Sequence, residues 1–396
     1  DMVYWVQGAF WLTLTQIFLT FSGLILIYVM ANNIDPIILG EYRFLMSGFT
    51  LLCITALPGM RTALRESVPK GNTGSLPFAF WTMFRWGLIG SIISIIVSAY
   101  YLYNDNVNLS IGFFIISILV PLYNSATAYN EYLIAVKALR LNTVYSVLTR
   151  SCSVLFTLTA IYLFPEFAWF ILGAALMSTT ITNLIFHSKT LKKYYRNNQK
   201  IDVNLPSYAK HLSLMTAFGL IAGQLDKILV WKVIGPEALA VFYIAQTIPQ
   251  NITSSLNAIP TLAFAKFGER DPKITRQTLL PKILKYFFGV TIFSLMYILM
   301  APFIFEWLFP QYLKAIYYSQ LLALIPIFST FLPIKTYLTV IKATKQLYLL
   351  SIIPPLVRLV VAVILIGKLG LLGVVYAVLA EALTRSALLL LYFFKT

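Results

Sequence analysis

From Leu347 to Ile366 the chain reads LYLLSIIPPLVRLVVAVILI, a run in which Arg358 carries the single charge. An α-helix rises 1.5 Å per residue, so a run of this length covers about 30 Å, the thickness of a bilayer's hydrocarbon core. A helix apolar on all sides has no face to offer water, and it reads as a membrane span. The same pattern recurs in both directions from this segment. Hydrophobic residues make up 59% of the 396 and charged residues 11%, with a mean hydropathy of +0.80. Soluble domains carry about 25% charged residues, so a water-facing surface cannot be built from this composition.

Apolar runs predict twelve transmembrane helices at 8–30, 37–57, 80–103, 110–130, 144–163, 167–187, 208–230, 237–262, 283–305, 315–341, 347–366 and 371–394. The expected fold is all-α and polytopic, with two six-helix bundles around a central cavity. Residues 1–187 form the N-terminal lobe, 188–207 a basic cytoplasmic linker and 208–396 the C-terminal lobe. Apart from 58–79, 188–207 and 263–282 the loops are short, which favours antiparallel neighbours.

The net charge of +16 would suggest a nucleic-acid partner in a soluble protein. Its distribution suggests none here. Seventeen basic residues fall in the even-numbered loops, among them Arg61, Arg65, Lys137, Arg140, Lys192, Lys193, Arg196, Lys266 and Arg270. The odd-numbered loops hold Lys232, Lys314 and Lys368. By the positive-inside rule the even loops, and with twelve spans both termini, face the cytoplasm. Thr190 to Arg196 mixes aromatic and basic residues and reads as an anchor among lipid headgroups. Cys53, Cys152, His187 and His211 show neither disulfide nor metal-ligand spacing, and the histidines read as interfacial.

Ile34-Asp35-Pro36-Ile37-Ile38-Leu39-Gly40 is echoed 200 residues later by Ile234-Gly235-Pro236-Glu237-Ala238-Leu239-Ala240. In each copy proline opens the second helix of a pair, where its missing N–H costs nothing. A small residue follows that permits close helix approach. The echo pairs spans 1–2 with spans 7–8 and implies two lobes related by an axis along the membrane normal.

Ionisable residues inside spans are expensive and are candidate functional groups. They are Arg43 in span 2, Arg85 in span 3, Arg150 in span 5, Asp226 and Lys227 in span 7, Arg358 in span 11, and Glu381 with Arg385 in span 12. Glu381 and Arg385 are four apart and share a helix face, as a salt bridge or a transport site. Arg43 and Arg358 have no acidic neighbour one turn away. Each needs a partner from another helix, a hydrated cavity or a bound anion, and guanidinium groups suit a diphosphate. Gln16 and Gln224 place large amides in the first helices of the two halves. Pro249, Pro260, Pro326, Pro333, Pro354 and Pro355 mark spans 8, 10 and 11 for bending. No Walker loop, dinucleotide fingerprint or acid–base pair with an outer domain appears, so the chain does not read as an enzyme.

Asp35-Pro36-Ile37-Ile38-Leu39-Gly40-Glu41-Tyr42, Gln224 to Val230, Ile234 to Leu239, Phe309-Pro310-Gln311-Tyr312 and Gly370 to Ala377 together resemble the O-antigen flippases. These belong to the multidrug/oligosaccharidyl-lipid/polysaccharide (MOP) exporter superfamily. The resemblance implies alternating access in a bacterial inner membrane, with undecaprenyl-diphosphate-linked glycan as cargo. It places Arg43, Gln16, Gln224 and Asp226 near the cavity, with Lys227, Arg358, Arg85 and Arg150 as further substrate-binding candidates. It also implies a sodium or proton gradient as energy source, with no cofactor expected, and by charge alone Asp226 and Glu381 are the candidate ion sites. Membrane lipids and polysaccharide polymerase or assembly proteins are the expected partners of a monomer. A multidrug exporter of the same superfamily and a non-transporting scaffold for polysaccharide assembly are the alternatives.

Overall fold

A computed structural model describes residues 2–195, 199–256, 272–341 and 343–395. Among the described residues, eleven segments are long and apolar enough to span a membrane. They coincide with eleven of the twelve expected spans. The remaining one, span 8, is the helix Pro236–Leu256, and its last expected residues, with Pro260, Lys266 and Arg270, lie outside the described residues. The chain is all-helical and crosses the membrane repeatedly. It divides into two compact units, residues 1–220 and 221–396.

The first unit is built on α1 (Met2–Asn33), α2 (Pro36–Leu52), α3 (Gly59–Ser67), α4 (Ser75–Tyr103), α5 (Val107–Ala126), α6 (Ala128–Ala135), α7 (Leu139–Leu163) and α8 (Ala168–Tyr194). Small residues set its closest packing, because in lipid the drive for helix association is contact and hydrogen bonding rather than hydrophobic burial. Along α4, Ser91, Ser94 and Ser98 donate to the carbonyls of Ser117, Phe113 and Ser110 on α5, at 2.5, 2.7 and 2.8 Å. The descending partner numbers show an antiparallel pair, and Gly87 faces Pro121 at the next step of the same seam.

The connector 58–79, expected as a loop, contains α3. Met60, Ala63 and Leu64 are buried in a core with Met83, Tyr132 and Ala209. On its outer side, Arg65 pairs with Glu131. Ser67 donates to Asp202 at 2.8 Å, the Asp202 N–H to Ser75 at 3.1 Å, and the Gly74 N–H to the Lys200 carbonyl at 3.0 Å. These bonds fasten residues 200–202 to the first unit. The opening turns of α9 (Leu205–Val233) follow them, with Leu205 and Ala209 in the same core. The compact units therefore divide at 220/221 inside α9, whereas the basic linker 188–207 was the expected boundary. His187, expected at the interface, is buried with its ring 4.6 Å from that of Phe80.

The second unit takes the rest of α9 and α10 (Pro236–Leu256), α11 (Pro272–Leu308), α12 (Ala315–Leu322), α13 (Ile325–Ser329), α14 (Leu332–Val340), α15 (Thr344–Leu369) and α16 (Leu371–Lys395). Expected span 10 is broken into α12, α13 and α14. Pro326 and Pro333 sit in the first turns of the last two, where proline is tolerated and the preceding chain is interrupted.

The internal echo has local structural content. The Ile34 N–H closes α1 on the Met30 carbonyl at 3.1 Å, and the Ile234 N–H closes α9 on the Val230 carbonyl at 2.9 Å. Asp35 then caps α2 by accepting from the Ile37 N–H at 2.7 Å. Gly235 makes the matching turn at φ +121°, a conformation that favours glycine. Gly40 and Ala240 are both buried, as a close-approach position requires.

Candidate functional site

Three helices of the second unit bring four charged side chains together. α9 supplies Asp226, α15 supplies Arg358, and α16 supplies Glu381 and Arg385. Arg358 donates from Nη2 to Asp226 Oδ2 and from Nη1 to Glu381 Oε2, the latter at 2.8 Å. Glu381 also accepts from Arg385 through its other oxygen, Oε1. Charge alternates along the chain of contacts and sums to zero. Exposure rises from 0% for the Asp226 side chain to 39% for that of Arg385. Desolvating an ion costs several kcal/mol, and alternate pairing offsets that cost here. Arg358 Nε is buried without a hydrogen-bond partner, so the match is incomplete.

Three of these four charges, Arg358, Glu381 and Arg385, line a cavity of about 360 Å³ within the second unit, with Asp226 buried behind Arg358. α10 lines it with Gln246, Pro249, Gln250, Thr253 and Ser254. Phe328 and Ser329 come from α13, and Arg358, Glu381 and Arg385 from the charged wall. This explains why α10 is less apolar than the other spans. Its amides and hydroxyls face a polar cavity instead of hydrocarbon, and Pro249 removes one helical N–H there.

Of the other residues singled out in α9, Lys227 donates to Gln224 Oε1 at 3.1 Å. Its backbone N–H donates to Asp226 Oδ1 at 2.8 Å. In the first unit, Arg150 on α7 donates from Nε to Ser22 on α1 at 2.9 Å. The Gly23 position leaves room for it, since a Cβ there would lie 3.3 Å from Arg150 Nη2. Arg43 is half-buried with its guanidinium 6.0 Å from the Tyr42 ring centroid. Gln16 and Arg85 are exposed on their helices. The structure therefore groups Asp226, Arg358, Glu381 and Arg385, and leaves Gln16 and Arg85 on the helix surface.

Of the options expected for Arg358, a partner from another helix, a hydrated cavity or a bound anion, the structure supplies carboxylates from two other helices. The long-range pairing with Asp226 has no signature in spacing. Two further residues were passed over. Glu41, two residues before Arg43, has Oε2 buried without a hydrogen-bond partner, and the rule that flagged Arg43 flags it too. Arg61, counted only as a loop charge, is half-buried in the first turn of α3.

The fold has known counterparts. An outward-facing multidrug resistance MATE family transporter of the MOP superfamily aligns with TM-score 0.65 and 14% identity, over 98% of this chain and 94% of that one. The eukaryotic MATE transporter AtDTX14 aligns at 0.62 and 12%, over 99% and 96%. A MOP superfamily transporter from Pyrococcus furiosus, described for the reverse polarity of its binding pocket, aligns at 0.55 and 14%, over 98% and 92%. At these identities the likeness establishes the fold. Among curated proteins no sequence matches. Residues 5–264 match the family model described as polysaccharide biosynthesis protein, which spans the first unit and the repeat at α9–α10. With that match across well over half its length, and the MOP transporter fold throughout, the chain belongs to the polysaccharide biosynthesis protein family.

Proposed function

We propose that the protein moves a diphosphate-linked lipid oligosaccharide across the membrane by alternating access. The cargo class is an undecaprenyl-diphosphate-linked glycan, carried from the cytoplasmic to the periplasmic leaflet of a bacterial inner membrane. The observation that carries this reading is the line of four charges, Asp226 to Arg385, whose last three members line a polar cavity in a membrane-spanning chain of this family. A static scaffold gains nothing from so costly an arrangement, whereas a carrier needs groups that can exchange partners at membrane depth. Arg43 and Arg150 supply the anion-recognising groups, since a guanidinium matches phosphate oxygens in a bidentate fashion. Asp226 and Glu381 supply the carboxylates at which a sodium ion or proton enters the cycle.

Drug export is the second reading, favoured by the multidrug resistance MATE transporter that shares the fold. An organic cation, however, would meet carboxylates already matched one-for-one by guanidinium groups. The Pyrococcus furiosus relative shows that pocket polarity within this fold has been described as reversed. Ligand binding separates the two readings. Purified protein should bind undecaprenyl diphosphate at least tenfold more tightly than undecaprenol. The Arg43→Ala/Arg150→Ala double variant should lose that preference, because a hydrogen bond to a charged group contributes about 1.5–3 kcal/mol. Equal binding of the alcohol and the diphosphate by the unaltered protein would reject the cargo assignment.

A further inference from the structure

The first unit carries a second cavity, of about 520 Å³, that the transport reading does not use. α8 contributes most of its lining, from Trp169 through Gly173, Ala174 and Met177 to Thr182, with Ile115 and Phe156 closing the sides from α5 and α7. Trp169 to Thr182 is thirteen helical steps, about 20 Å along the axis. One leaflet of hydrocarbon is about 15 Å deep, half of the 30 Å core. The groove thus has the length of a single lipid chain. Gly173 withdraws a side chain from its floor, where a Cβ would stand in van der Waals contact with Ile115 at 3.5 Å.

The rims face outward to hydrocarbon, with Phe156, Met177 and Ile181 exposed. The lining hydroxyls make no demand on a ligand. Ser178 donates to the Ala174 carbonyl at 2.6 Å and Thr182 to the Ser178 carbonyl at 2.8 Å. Trp169 differs, because its indole Nε1 is buried with no hydrogen-bond partner. It stands in the first turn of α8 beside Phe167 and Phe170, the height at which aromatic side chains mark the headgroup boundary. A buried donor lacking an acceptor is destabilising, and an ester or phosphate oxygen at that height would satisfy it.

We propose that this groove holds one chain of a phospholipid of the surrounding bilayer, with Trp169 donating to an oxygen of its headgroup region. A resident phospholipid, and not the polyprenyl tail of a cargo, is the occupant that the placement favours. Phe156 lies six residues beyond Arg150 on α7, about 240° around the helix, so the groove opens away from the side on which Arg150 meets α1. The groove itself rests on the membrane fold, whereas the choice of a resident phospholipid over a cargo tail rests on the proposed role of Arg150.

Native mass spectrometry of detergent-purified protein titrated with phosphatidylethanolamine tests it. The unaltered protein should retain one tightly held phospholipid. Gly173→Phe, which fills the groove, should release it, and Ala174→Leu serves the same purpose if the first variant does not accumulate. Trp169→Phe should weaken retention about fivefold, the equivalent of one net hydrogen bond of about 1 kcal/mol. Identical lipid retention by the unaltered protein and a groove-filling variant would overturn the site. Unchanged affinity in Trp169→Phe would overturn the headgroup contact. Stoichiometric displacement of the phospholipid by undecaprenyl phosphate would overturn the choice of occupant.

Discussion

Asp226 is fully buried and meets Arg358, which lies 132 residues further along the chain. Removing one member of a buried ion pair leaves the other uncompensated, at a cost of about 3–5 kcal/mol. Asp226→Ala should therefore lower the thermal unfolding midpoint sharply in detergent. Adding Arg358→Ala should recover part of the loss, because the double variant buries no orphaned guanidinium at that position. Additive losses would show that the pair is not coupled. Glu381 bridges Arg358 and Arg385, so Glu381→Gln converts a neutral group of four into one carrying a net positive charge. Transport by that variant should lose its dependence on an imposed sodium or proton gradient. A gradient response equal to that of the unaltered protein would remove Glu381 from the coupling step. The Glu381–Arg385 contact was legible in the sequence, since helical periodicity alone puts residues four apart on one face. The contact to Asp226 was not, because a list of spans carries no information about how each helix is rotated.

α4 and α9 show what a glycine does in a span. A Cβ on Gly87 would come 2.7 Å from Pro121 Cα on α5, while one on Gly219 in α9 would meet nothing within 4 Å. Gly87→Val should destabilise the protein by about 1–3 kcal/mol, the range for overpacking a tight contact. Gly219→Ala should be neutral or stabilising by up to about 1 kcal/mol, since alanine is the better helix former. Thermal unfolding of both variants, with equal shifts as the contrary outcome, tests this account of the α4–α5 seam. The element boundaries that apolar runs predicted are close to those observed, because lipid imposes length and composition on a span directly. Three features escaped that reading for separate physical reasons. α3 is short, and Met60, Ala63 and Leu64 form only one apolar stripe. Span 10 is interrupted at prolines whose positions were flagged but whose effect was expected to be bending. The third is the role of α10, expected as span 8, whose polar residues line a cavity.

For the whole molecule, the echo at Ile34 and Ile234 joins chain order to function, since both copies close one helix and open the next by matching hydrogen bonds. The distribution of basic residues predicts the orientation that goes with it. Cysteines introduced at Asn104 and at Lys137 should be labelled from opposite sides of the membrane by an impermeant maleimide, Asn104→Cys from outside and Lys137→Cys only after lysis. Labelling of both from one side would contradict the alternation of loops. The family and the transporter fold were legible from ordered motifs spread along the chain, whereas the cargo depends on which side chains meet it. Flipping of a defined undecaprenyl-diphosphate-linked oligosaccharide in proteoliposomes measures that directly. The unaltered protein should expose the glycolipid to an external glycosidase, and the Arg43→Ala/Arg150→Ala variant, reconstituted to the same level, should not. Equal exposure with both proteins, or exposure no faster than in protein-free vesicles, would contradict the assignment of a diphosphate-linked cargo to these arginines.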